Sequence, residues 1–301
     1  MEQVTVVHIF YTSDFNFGEC LWFLDRNYDD CLYRIVGGEV RRAIYVNGET
    51  VLFGVREEGN ALRVEILQGK TTPENLDAVT AYVREWFDLD KDLNEFYALL
   101  KKDKHLAYMP DAYRGLRLMG INDLFEALCW SIIGQQINLT FAYALKRRLV
   151  EKYGSRIVYN NEPYYLFPTY EALAGALTED LRAMQFSRGK AEYLTVTARA
   201  FAQGEMGREI LLALPDTESQ TKALTKLKGI GIWTANYALM KSLRTKNSIP
   251  HGDAGLLKAL VEHHIIKTRD ETEKIDRFFK KYEGWESYVV FYLWRSLSVR
   301  N

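Results

Sequence analysis

Two glycines and one carboxylate, 22 residues apart, mark the stretch LKGIGIWTANYALMKSLRTKNSIPHGDAGLLKAL at 227–260. Gly229-Ile230-Gly231 reads as a tight turn between a helix ending at Lys228 and one starting at Ile232. Glycines there leave the N–H groups of a helix N-terminus uncovered, which suits a phosphate. Gly229, Gly231 and Lys228 are the candidates for holding it. The surroundings are cationic: Lys222, Lys226, Lys228, Lys241, Arg244, Lys246 and Lys258 stand against Asp253 alone between 221 and 260. Asp253 precedes AGLLKAL and makes a good helix N-cap. That position also holds a carboxylate rigidly, able to stabilise a developing cation or deprotonate a water. A phosphate grip beside an isolated carboxylate points to chemistry on nucleic acid. The plainer readings are a ligand-free corner for the glycines and a cap alone for Asp253.

Two further sets carry possible chemistry. Trp233 and Tyr237 are four apart and share a helix face, while Trp285, Tyr292 and Trp294 lie near the C-terminus. Aromatic residues at this spacing usually form core; the functional reading is a pocket whose electron-rich faces attract a flat, electron-poor or cationic guest. In FEALCWSIIGQQINLTFAYALKRRL (125–149), Gly134-Gln135-Gln136 interrupts a helical pattern. The interruption is either a plain turn or a loop placing Gln136 and Ile137 where one fills the gap left by an extruded base. Lys146, Arg147 and Arg148 then either contact backbone phosphates or form a solvated face. His251 reads as a loop residue.

The elements that must position these residues follow from pattern and composition. With 301 residues, 48% of them hydrophobic, the chain can bury a full core in two or three domains. The net charge of −1 hides an asymmetry: residues 1–100 carry 18 acidic and 9 basic side chains, the remainder 22 and 30. A polyanion is therefore expected at the C-terminal two-thirds. VTVVHIF, CLYRIV, RRAIYV, TVLFGVR and ALRVEIL alternate like strands, separated by Gly37-Gly38, Asn47-Gly48 and Gly59-Asn60. Helices are expected around 18–26, 73–87 and 87–103, and helical periodicity holds almost throughout from about 89. The expected fold is α+β: an N-terminal antiparallel β domain (1–88), then a mostly α-helical body of two subdomains containing the hairpin. These are 89–230, with the wedge loop and first half of the hairpin, and 231–301, with Asp253 and the pocket; 89–119 is free to pack with the latter. Cys20, Cys31 and Cys129 form no CxxC pair, which argues against zinc and against an iron–sulfur cluster and fits a reducing cytoplasm. No apolar run reaches about 18 residues, so no membrane span is expected.

Together these stretches resemble the helix-hairpin-helix DNA glycosylases, most closely the bacterial alkyladenine (3-methyladenine) DNA glycosylase II type. LKGIGIWTANYALM is similar to the family hairpin, IPHGDAGLLKAL to its catalytic-aspartate segment and LFEALCWSIIGQQI to its wedge segment. The resemblance runs from about 87 to 297; for 1–86 it rests on the pattern of a small antiparallel sheet. It implies hydrolysis of the N-glycosidic bond of alkylated purines (3-methyladenine and 7-methylguanine type) flipped out of double-stranded DNA, initiating base excision repair. Asp253 falls on the essential aspartate, and Trp233, Tyr237 and Trp294 on pocket aromatics. Relatives that also nick the strand carry a Schiff-base lysine at position 233; Trp233 implies a monofunctional enzyme with water as nucleophile and no lyase step. The family hairpin implies a Na+ or K+ ion held by the main chain of Thr225, Leu227 and Ile230, with no cofactor required. A monomer in a bacterial cytoplasm, associated with the nucleoid, is expected. Gln136 stands where relatives often have an aliphatic wedge, and an N-terminal pocket residue is expected near Leu21 or Trp22. The competing readings are a non-catalytic damage-binding protein and a glycosylase for a deaminated or oxidised base.

Overall fold

The computed structural model describes residues 6–11, 14–26, 28 and 30–298. Strands β1 (Val6–Phe10), β2 (Tyr33–Val36), β3 (Glu39–Val46), β4 (Glu49–Glu58) and β5 (Ala61–Gln68) form an antiparallel sheet in the order β1-β5-β4-β3-β2. Val4 and Thr5, where the first strand was expected to begin, lie outside the described residues. Gly37-Gly38 (φ 59° and 80°) and Asn47-Gly48 (φ 50° and 84°) close two-residue hairpins because these residues accept positive φ. Alternation along β4 sends Val51, Phe53 and Val55 into the main core and Leu52 to the opposite face. The helix Pro73–Trp86 covers the core face with Val79, Val83 and Trp86; Thr72 caps it by accepting the Asn75 N–H, with Pro73 at its start.

Two expectations need correcting. The helix foreseen over 87–103 spans only Asn94–Lys101. Asp92 accepts the Asn94 N–H at 2.9 Å, whereas Asp90 is drawn into an ion pair with Arg84. Within the helical body lies a hairpin, β6 (Ser155–Tyr159) and β7 (Glu162–Leu166), turned at Asn160-Asn161 (φ 50° and 63°). Its RIVY and PYYL segments are β-branched and aromatic, and asparagine tolerates the left-handed turn. Tyr164 packs against Ala43 and Leu52 on the sheet face away from the main core.

The apolar cores do not follow chain order. One gathers the sheet, residues 87–119 and the helices Ala254–Glu262, Thr272–Phe279 and Glu286–Ser296. The other is built from Leu124 to Leu239. Between them runs a buried set of four charges: Arg42 to Glu126 at 2.9 Å, Lys146 to Asp30 at 3.0 Å and Lys146 to Glu126 at 3.5 Å. Two cations against two carboxylates leave the set neutral, which makes its burial tolerable. Lys146 is thus an internal tie, 3% exposed, and does not face a phosphate backbone. Arg147 pairs with Glu151, and Arg148 donates to the Met184 carbonyl.

Candidate active site in the cleft between the two cores

The helix Thr217–Thr225 ends three residues earlier than the sequence suggested, and 226–229 form a turn before the helix Ile232–Ala238. Gly229 has φ 88° and lies against the Tyr193 ring; a Cβ there would sit 2.1 Å from Tyr193 Cγ. Gly231 is exposed, has φ −87° and has nothing within 4 Å of a Cβ position, so its approach is open. Ile230 between them is buried and fixes the turn to the second core. Lys228 is exposed but ion-paired with Glu192.

The helix Ile232–Ala238 runs on into a π-helical turn, Leu239–Leu243, that ends at Arg244 in the left-handed region (φ 55°). The chain then crosses to the first core, where Asp253 caps the helix Ala254–Glu262. Its carboxylate accepts three N–H bonds. Leu256 N at 2.7 Å and Trp294 Nε1 at 2.9 Å reach Oδ1, and Trp233 Nε1 at 3.2 Å reaches Oδ2. Each indole thus turns its edge to the carboxylate and leaves its faces for packing. Trp233 stacks near Tyr237 (centroids 5.7 Å apart, 30°), and Tyr237 lies 6.2 Å from Trp294. Burial pushes the Tyr237 hydroxyl above its ordinary pKa, and it accepts the Trp130 indole N–H at 3.1 Å.

These groups line one open cleft of about 1960 Å³. The structure brings Asp253, Trp233, Tyr237, Trp294, Gln136, Ile137 and the hairpin residues to it together. Gln136 is exposed at φ 54°, and Ile137 is half-buried against the second core. Trp285 and Tyr292 are core instead: Trp285 donates to Glu95, and Tyr292 donates to the Leu116 carbonyl. Of the two N-terminal candidates, Trp22 reaches the cleft and Leu21 does not. Trp22 carries the Arg295 guanidinium 4.6 Å from its ring, and Arg295 is held by Glu19 at 2.8 Å.

Sequence reasoning missed Trp130, Tyr28 and Arg26, all of which line the cleft, and Tyr143, which packs on two of them. It gave no role to Gln135, whose Nε2 donates to the Gly229 carbonyl at 2.9 Å and Thr234 Oγ1 at 3.0 Å, tying the Gln136 loop to the hairpin. A glutamine one residue before the exposed tip is the only signal, and it names no partner.

Residues 129–283 match the family model described as HhH-GPD superfamily base excision DNA repair protein, and residues 6–123 match the AlkA N-terminal domain. A DNA-3-methyladenine glycosylase of Bacillus subtilis (strain 168) is 37% identical over 286 residues, covering 94% of each chain. DNA-3-methyladenine glycosylase 2 of Escherichia coli (strain K12) is 31% identical over 185 residues, 60% of each. The solved structure of a 3-methyladenine DNA-glycosylase from Archaeoglobus fulgidus superposes with a TM-score of 0.81 at 26% identity, covering 98% of this chain and 99% of that one. On these matches, the chain belongs to the HhH-GPD superfamily of base excision DNA repair proteins.

Proposed function

We propose that the chain is a monofunctional DNA glycosylase that removes alkylated purines of the 3-methyladenine and 7-methylguanine type from double-stranded DNA. The observation that carries this is Asp253, oriented by the N–H donors of Leu256, Trp233 and Trp294, with Tyr237 packed between the two indoles. An N3- or N7-alkylated purine is cationic in the duplex. When its C1′–N bond breaks, the electron pair moves onto the base, which leaves neutral without being protonated. The sugar is left as an oxocarbenium ion, which the Asp253 carboxylate stabilises. A water then adds to C1′ and gives its proton to Asp253, completing hydrolysis. One carboxylate suffices because the leaving group needs no acid, unlike the paired carboxylates of most glycoside hydrolases. An indole at 233 supplies no amine for a Schiff base, so the strand stays intact.

Gly231 and its neighbours would hold a backbone phosphate, with Lys228 moving from Glu192 to join them. Gln136, and Ile137 behind it, would fill the space left by the flipped base. Among the described residues the Thr225 and Ile230 carbonyls accept no hydrogen bond, and that of Leu227 takes one, from Ile230 N. All three therefore keep oxygen lone pairs for a Na+ or K+ ion, which would stiffen the turn.

The test is release of each base from a panel of single-lesion duplexes, read with and without a heat or alkali step. Alkylated purines should be released and strand breaks should require that step. Asp253→Asn should keep duplex binding and lose release by about 100-fold or more. A wild type that binds but releases nothing leaves only a damage-binding protein. Breaks without heat or alkali refute the argument from Trp233.

A further inference from the structure

We infer that Arg26 is a specificity-determining residue of this cleft, donating hydrogen bonds to the acceptor edge of an uncharged flipped base and extending release to bases that depart as anions. The inference rests on the glycosylase reading above. Arg26 follows the helix Phe17–Leu24, is half-buried and lines the cleft that holds Asp253, Trp233, Tyr237 and Trp294. Its Cζ lies 4.1 Å from the Phe23 ring centroid and 5.9 Å from that of Tyr28, and its Nε donates to the Phe23 carbonyl at 3.0 Å. The Tyr143 hydroxyl is a further neighbour. No ion pair is formed by Arg26 among the described residues. Two other cations of the cleft differ: Arg295 is neutralised by Glu19, and Lys228 by Glu192.

An unpaired guanidinium is out of place in a site serving cationic bases alone, because it repels them. It has a use if the guest is neutral. A guanidinium presents five N–H donors in one plane; here Nε is committed to the Phe23 carbonyl and the Tyr143 hydroxyl engages another, which leaves donors for a guest. An uncharged purine with a carbonyl and a ring-nitrogen acceptor offers the matching edge. When its C1′–N bond breaks, the electron pair leaves a base anion. Arg26 stabilises that charge while keeping its own proton, which an arginine does not release. The anion takes a proton from solvent afterwards; water adds to C1′ and passes its proton to Asp253, as for the cationic base.

The experiment is single-turnover release of hypoxanthine (uncharged) and 7-methylguanine (cationic) by wild type, Arg26→Leu and Arg26→Gln, each checked for folding by a melting curve. Wild type should release both. The hypoxanthine-to-7-methylguanine rate ratio should fall by about tenfold or more in Arg26→Leu, with Arg26→Gln, a neutral donor, between the two. A ratio within about threefold of wild type, whatever the absolute rates, overturns the inference. So does a wild type that releases 7-methylguanine and no hypoxanthine, an outcome that leaves the glycosylase reading standing. Release of neither base, and of no 3-methyladenine either, defeats that reading itself. Should Arg26→Leu not fold, the ratio in Arg26→Gln decides.

Discussion

Replacing Gln135 by methionine keeps the length of the side chain and removes both N–H donors from the link between the Gln136 loop and the hairpin. In the structure that link consists of the bonds to the Gly229 carbonyl and Thr234 Oγ1, at 2.9 and 3.0 Å. A neutral hydrogen bond contributes about 0.5–1.5 kcal/mol net. Gln135 is half-buried, so water replaces part of the loss, and the pair is worth roughly 1–2 kcal/mol. The helix Leu124–Gly134 has ended and the next begins at Leu139, so the amide fixes how far the Gln136 tip stands from the Gly229–Gly231 turn. The energy is therefore expected to be lost from the extruded state, lowering the flipping equilibrium about 5- to 30-fold. Fluorescence of 2-aminopurine placed beside a lesion reads flipping, and anisotropy with an undamaged duplex reads grip. Gln135→Met should reduce the first and kcat/KM by that factor while leaving the second unchanged. Flipping within about twofold of wild type, or an equal loss of affinity for undamaged DNA, would refute the reasoning.

Two substitutions separate the roles of the hairpin glycines. Gly231→Ala should leave the melting temperature unchanged, since its backbone and surroundings accept a Cβ, yet weaken duplex binding in a filter or anisotropy assay. Gly229→Ala should lower both, because positive φ and the Tyr193 ring leave no room. Lys241 supplies a pH test. It is buried, has its Nζ 4.0 Å from the Phe23 ring centroid and donates to the Met119 carbonyl; burial first, then Arg244, holds its pKa well below 10.5. From that lowered value up to 10.5 the unfolded chain binds the extra proton, so stability relative to Lys241→Met should rise with pH across this window. Urea unfolding of both proteins at neutral pH and near about pH 9.5 measures it; a difference that is constant or shrinks contradicts the assignment.

Asp253 and the hairpin could be read from the sequence because their signals are local: a cap before an apolar run and glycines where a turn must bend. The same holds for the sheet, whose Asn47-Gly48 and Gly37-Gly38 turns announce themselves. What the sequence could not display was any partner distant along the chain. Trp130 reads as one more apolar residue of a buried helix until Tyr237, 107 positions on, is placed against its N–H. Lys146 looks like part of a basic face because Asp30 and Glu126, its partners, belong to other elements. Tyr292 and Trp294 stand two apart on one helix, yet one is core and the other reaches the cleft. Helical spacing alone does not say which face meets the second core. The β6–β7 hairpin was overlooked for another reason, its short strands being flanked by long amphipathic helices.

The return of the chain to its first core sets a timetable for making the protein. The sheet emerges early, but the helix that completes its core, Glu286–Ser296, is translated more than 200 residues after β5. At about 5–20 residues per second, that interval lasts roughly 10–40 s. The second core, drawn from one continuous stretch, can close while the nascent sheet still waits for its cover. A chain released before Glu286 would therefore carry a finished hairpin with no Trp294 to hold Asp253. If the hairpin holds DNA as proposed, such a fragment would keep the grip while lacking the complete site around Asp253, and premature termination would yield a competitor for the duplex rather than a slower enzyme.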